Sequence, residues 1–181
     1  MKLVLATLVL MASVGLASAH ETAMAKDAQG AASGASAQIG AITLSGGFAR
    51  ATLPNQPVGG GYVALTNTGT SDDRLIAAQS PVAGEVQLHE MAMKDGVMVM
   101  RQLENGIALP AGKTVTLQPG GYHLMFMQLK EALVQDSTVQ VTLTFEQAGT
   151  VTVDLPVMAP NATGGAAPMH GMTHAMPKEV Q

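Results

Sequence analysis

Val86-Gln87-Leu88-His89-Glu90-Met91-Ala92-Met93-Lys94-Asp95-Gly96-Val97-Met98-Val99-Met100 reads as two strands joined by a tight turn. Asp-Gly between apolar runs is a strong hairpin signal, because both central residues of the matching turn take positive φ. With Asp95 and Gly96 as the loop, Lys94 pairs with Val97, Met93 with Met98 and Met91 with Met100. Side chains alternate between faces along a strand. Gln87, His89, Met91, Met93, Met98 and Met100 therefore share one face of the hairpin, and Val86, Leu88, Glu90 and Ala92 lie on the other. His89 falls diagonal to Met100, about 7–8 Å away at the backbone and within reach of long side chains.

A second stretch, Gly120-Gly121-Tyr122-His123-Leu124-Met125-Phe126-Met127, divides the same way. Tyr122, Leu124 and Phe126 form one face and are good core residues. His123, Met125 and Met127 form the other. Outward from these stretches, short β-like runs recur at 39–44, 48–52, 61–67, 73–80, 114–117, 138–145 and 150–156. Turn sequences such as Asn67-Thr68-Gly69, Asn105-Gly106, Pro119-Gly120 and Ala148-Gly149 separate them. No stretch combines a helical period with caps. The spacing predicts an all-β sandwich or barrel.

The ends read differently. Residues 1–19 have a positive start at Lys2, an apolar run and a small-residue Ala17-Ser18-Ala19 site, the pattern of a secretory signal peptide. Residues 20–38, rich in Ala, Gly, Ser and Gln, have linker composition. The β domain is expected over 39–157. The stretch 158–181 returns to Pro, Gly, Ala, Met and His and is expected to be a disordered tail, as the N-terminal extension is. Cleavage after Ala19 leaves His20 as the new N-terminus, an amine and an imidazole together.

Composition narrows the function. The chain has 181 residues, no Cys, no Trp and 13 Met, with a formal net charge of -4. Nothing is basic enough to attract nucleic acid. The missing Cys removes disulfides, thiolate catalysis and thiolate metal sites together, and a lipid-anchoring cysteine with them, so a soluble mature protein is expected. No Ser/His/Asp set or paired carboxylates are recognisable, so no enzyme is expected.

Core packing accounts for one methionine easily. It accounts poorly for six methionines and two histidines that share faces by parity. Thioether sulfur is a soft, neutral donor that suits Cu(I) and holds hard or borderline ions poorly, and imidazole adds a harder donor. In an oxidising compartment thiols are lost to disulfides, whereas thioethers form none. A His/Met site therefore suits carriage of Cu(I) outside the cytoplasm, with Met91, Met93, Met98 and Met127 as auxiliary donors. In the tail, Met169, His170, Met172, His174 and Met176 form a further candidate set. Its imidazoles, with His20, suit Cu(II).

These residues resemble the PCuA(C) periplasmic copper chaperones, whose pattern is His, ten residues, Met, about twenty-one residues, then His-x-Met. Here ten residues separate His89 from Met100, twenty-two separate Met100 from His123, and His123-Leu124-Met125 closes the pattern. The extra residue is placed at the Glu104-Asn105-Gly106 turn. Ala49-Arg50-Ala51-Thr52, Gly59-Gly60-Gly61-Tyr62, Leu88-His89-Glu90-Met91 and Leu109-Pro110-Ala111-Gly112 also look like the family. The resemblance covers residues 39–157. It implies a cupredoxin-like (immunoglobulin-like) Greek-key β-sandwich with His89, Met100, His123 and Met125 as Cu(I) ligands. It also implies a periplasmic protein that delivers copper to a cytochrome c oxidase subunit or a Sco-type protein; a monomer is expected. A His/Met-rich tail that binds extra copper occurs in some members. The competing expectation is a periplasmic storage or resistance protein with the same ligands and no dedicated acceptor.

Overall fold

The computed structural model describes residues 34–164. They form eleven strands: β1 (Ala35–Ile39), β2 (Ile42–Arg50), β3 (Val58–Asn67), β4 (Asp73–Gln79), β5 (Glu85–Lys94), β6 (Val97–Gln102), β7 (Ile107–Leu109), β8 (Thr114–Leu117), β9 (Tyr122–Met127), β10 (Thr138–Phe145) and β11 (Gly149–Met158). No helix occurs among the described residues.

Period-two patterning explains most of these elements. In β10, Val139, Val141, Leu143 and Phe145 are buried, while Thr138 and Gln140 face solvent. In β9, Leu124 and Phe126 are fully buried. Each Val, Leu or Phe removed from water this way contributes about 1.5–3 kcal/mol.

The strands follow one path, β6-β5-β9-β8-β3-β2-β11-β10-β4-β7, with β1 on β2 and an extra β4–β5 pairing. The β2–β11 join on this path and the extra β4–β5 pairing are both thin. β11 meets β2 through two parallel pairs, and β4 meets β5 through Ala78 and Val86 alone. There the sheet folds over on itself, placing β6, β5, β9, β8, β3 and β2 in one layer and β11, β10, β4 and β7 in the other. The apolar core, including Leu44, Leu65, Leu75, Leu124, Phe126, Leu143 and Leu155, fills the space between the layers.

Three details depart from the sequence reading. The run at 39–44 straddles the β1–β2 turn, where Gly40 takes φ 53°. The run at 48–52 overlaps the end of β2, which stops at Arg50 and is a single strand with a bulge between Ser45 and Phe48. β7 is only three residues long and has no pattern to read. In addition, β1 occupies the end of the Ala/Gly/Ser/Gln-rich stretch that reads as linker. Pairing along β2 supplies there what propensity does not. The signal-peptide reading, the rest of the linker, His20 and the tail donors Met169, His170, Met172, His174 and Met176 lie outside the described residues.

The hairpin has the anticipated register: Lys94 opposite Val97, Met93 opposite Met98 and Met91 opposite Met100. Asp95 and Gly96 take φ 52° and 81°, the double positive φ of the favoured two-residue turn. Every residue of β6 is exposed. The hairpin therefore projects beyond the sandwich, with β6 as an unpaired edge.

Candidate metal centre

The site lies on the outer face of β6, β5, β9 and β3. Burial of Val86 and Leu88 against Leu124 and Phe126 on the core side fixes the β5–β9 register. That register places Gln87 opposite Met125 and His89 opposite His123. On its other flank His89 is opposite Gln102, which leaves Met100 diagonal to it, as the hairpin turn implies. The two imidazole rings have centroids 5.6 Å apart, tilted by 59°.

Both rings are held in one tautomer. The Nδ1–H of His123 donates to the carbonyl of Gly121 at 3.0 Å. A carbonyl only accepts, so Nδ1 carries the proton and the lone pair of the neutral tautomer is on Nε2. His89 Nε2–H donates to Gln87 Oε1 at 2.8 Å. Its Nδ1 is buried and has no hydrogen-bond partner. A buried lone pair without a donor normally costs about 1–3 kcal/mol, so this nitrogen is open to a hydrogen-bond donor or a metal ion. Burial, and then the nearby His123 charge, push the His89 pKa below its ordinary value, which keeps the ring neutral and able to donate.

The thioethers lie beside His123. Met91, Met100, His123 and Met125 border one open cleft of about 590 Å³, together with Tyr62, Gly60, Arg50, Pro119 and Pro160. Gly60 is opposite Met125. A Cβ at Gly60 would stand 2.7 Å from the Tyr62 hydroxyl oxygen, so only glycine lets that ring lie back along the cleft floor. Arg50 caps the Tyr62 ring at 5.4 Å and donates from Nε to the Ala162 carbonyl at 2.7 Å. Met93 and Met98 stand outside the cleft at the hairpin tip. Met127 is at the far end of β9, opposite Glu85 and Val58. On the opposite face of the hairpin, Arg101 and Glu90 form an ion pair at 2.6 Å, which clamps the register without placing charge among the thioethers.

The fold thus brings together His89, His123, Met91, Met100 and Met125, and it leaves Met93, Met98 and Met127 at the margins. Sequence reasoning overlooked the orienting groups, Gln87 and the Gly121 carbonyl. The signal for Gln87 was available, since it sits two residues from His89 on the same face. Among the described residues no three of His, Cys, Asp and Glu converge; the donors nearest the histidine pair on this face are the thioethers of Met91, Met100 and Met125.

Residues 42–157 match the LpqE-like lipoprotein family model. A protein of Leifsonia xyli subsp. xyli (strain CTCB07), named as a lipoprotein, is 39% identical over 93 residues, covering 51% of this chain and 56% of that protein's length. Among solved structures, the copper-bound PCuAC domain of PmoF2 is 29% identical with a TM-score of 0.60, over 69% of this chain and 98% of that one. The apo PCuAC domain of PmoF1 is 25% identical, TM-score 0.59, over 69% and 99%. The solution structure of CuI-DR1885 from Deinococcus radiodurans is 28% identical, TM-score 0.54, over 68% and 80%. The all-β sandwich is cupredoxin-like, as the resemblance implied.

Proposed function

The chain belongs to the LpqE-like family, and we propose that its PCuAC-like domain carries Cu(I) outside the cytoplasm and hands it to an acceptor protein. The observation that carries this reading is the His89–His123 pair: rings 5.6 Å apart, His89 Nδ1 buried without a hydrogen-bond partner, and His123 bordering a cleft lined by thioethers. In this reading His89, Met100, His123 and Met125 hold the ion. All four donors are uncharged. A monovalent soft ion keeps its affinity for such a set, while Zn(II) and other borderline ions lose the anionic ligands they favour.

Release follows from the same chemistry. Met100 is 47% exposed at the cleft mouth, so an incoming ligand can replace its thioether before half-buried His89 and buried His123 let go. The ion moves by ligand exchange, and no electron is transferred. The copper-bound relatives support copper as the cargo. The lipoprotein names of the family and of the Leifsonia relative support work outside the cytoplasm, which we place in the periplasm. The acceptor we propose is a copper-receiving subunit of cytochrome c oxidase or a Sco-type protein. Among the described residues no helix is long and apolar enough to cross a membrane.

The test is anaerobic titration with Cu(I) against a chromophoric competitor, and separately with Zn(II), on the wild-type chain and on His123→Ala. Tight Cu(I) binding that His123→Ala weakens is the expected result. Tighter Zn(II) binding, or Cu(I) binding indifferent to His123, overturns the assignment.

A further inference from the structure

We infer that the tip of the β5–β6 hairpin is a second, outer Cu(I) site, formed by the thioethers of Met91, Met93 and Met98, from which the ion passes inward. The inference rests on the copper reading above and extends it to residues outside the histidine site.

Met93 and Met98 are directly opposed in the ladder, and Met91 is two residues from Met93 on the same face. Directly opposed Cβ atoms are about 5 Å apart, and diagonal or i, i+2 neighbours about 7 Å. Three unbranched side chains with this spacing can bring their sulfurs to one ion. A neutral set of soft thioethers selects Cu(I). The alternating face excludes fixed charge from the set: Lys94, Glu90 and Arg101 all belong to the other side of the hairpin.

Packing does not account for these side chains. Met93 is 65% exposed and Met98 49%, and they lie on an unpaired edge hairpin. Exposed apolar edges are ordinarily blunted by charge, because they invite aggregation. Here one face of the edge hairpin exposes the sulfurs of Met93 and Met98, while Val97 and Val99 are exposed on the other.

Position gives the site its role. The opposed pairs make a ladder that runs from solvent inward. Met93 and Met98 come first, then Met91 and Met100 at the cleft, then His89 and His123, the last only 8% exposed. Met91 belongs to the outer set and also borders the inner cleft, so it bridges the two. An ion moving down the ladder exchanges one thioether at a time and never needs to be fully stripped of ligands.

Site-resolved NMR of the methionine methyl groups in the full chain tests this, using 13C-methyl methionine and stepwise anaerobic Cu(I), with signals assigned by single Met→Leu variants. The expected result is that Met100 and Met125 shift with the first equivalent, and Met93 and Met98 with the second. The Met93→Leu/Met98→Leu double variant, altered only at exposed positions, then weakens the second equivalent at least about tenfold and leaves the first unchanged. If Met100 and Met125 respond but Met93 and Met98 stay still, or if Met169, Met172 and Met176 alone take the second ion, the outer site is overturned and the inner one stands. If no methionine between Met91 and Met127 responds at all, the copper reading itself fails.

Discussion

His89 and His123 stand directly opposite each other across the β5–β9 ladder, with ring centroids 5.6 Å apart, yet each is oriented by a different group. Gln87 holds one ring through Nε2 and the Gly121 carbonyl holds the other through Nδ1. The two nitrogens left without protons belong to different ring positions. Each can be tested separately.

Gln87→Leu removes the acceptor that fixes the His89 tautomer while keeping the side-chain volume. Groups that orient a metal-ligating histidine are typically worth about 10–100-fold in metal affinity. We expect a Cu(I) affinity loss in that range, with thermal stability of the apo chain nearly unchanged. Equal affinity in the variant and wild type would show that the Gln87 contact does not orient the ligand.

Met100→Ala separates donor from filler. At 47% exposure Met100 fills no core space, so the apo protein should lose no more than about 0.5 kcal/mol. Leu124→Ala, at a fully buried position, should cost about 2–5 kcal/mol. Cu(I) affinity should fall for Met100→Ala. Chemical denaturation of both variants, with competitive copper titration of the first, checks the pair. A large stability loss at Met100 with copper binding intact would contradict its assignment.

The lowered His89 pKa has a signed consequence. Its folded value lies below the ordinary 6.5, so between the two values the unfolded chain binds more protons than the folded one. Stability is therefore full above pH 6.5 and declines as pH falls from there toward the folded value. Urea unfolding of the apo protein should show this decline, and His89→Gln should remove part of it. The same shift keeps the ring unprotonated to lower pH, so proton competition with copper at His89 should begin below pH 6.5. A wild type and variant with identical pH profiles would remove His89 as the source.

Gly60→Ala places a methyl group 2.7 Å from the Tyr62 hydroxyl oxygen. The Tyr62 ring must shift, and with it the cleft floor beside Met125. We expect weaker Cu(I) binding and a changed Tyr62 fluorescence or NMR signature, with the core otherwise intact. An unchanged ring signal would mean that the cleft floor accommodates a side chain at Gly60.

The hairpin was legible in the sequence because everything that sets its register is local. Asp95-Gly96 fixes the turn, the turn fixes the pairing, and period-two alternation then sorts Met91, Met93, Met98 and Met100 onto the His89 face. The all-β class was legible for the same reason, from short alternating runs between turns. Elements without such signals were not. β7 is too short to show a period, β1 has linker composition, and β2 is divided by a bulge that the sequence reading took for a break.

Parity also placed His123 and Met125 on a common face, but nothing local says which strand lies beside β9. The motif spacing suggested that His89 and His123 serve one site, through resemblance alone. Their direct opposition depends on pairing residues 34 positions apart in the chain. That register is set on the other side of the sheet, where Val86 and Leu88 must enter the core with Leu124 and Phe126. The roles of Gln87, the Gly121 carbonyl, Gly60 and Tyr62 arise only after this choice is made. A turn is encoded by the two or three residues that form it. A cross-strand neighbour is decided by which arrangement buries the most apolar surface at once, and that is a property of the whole packed chain.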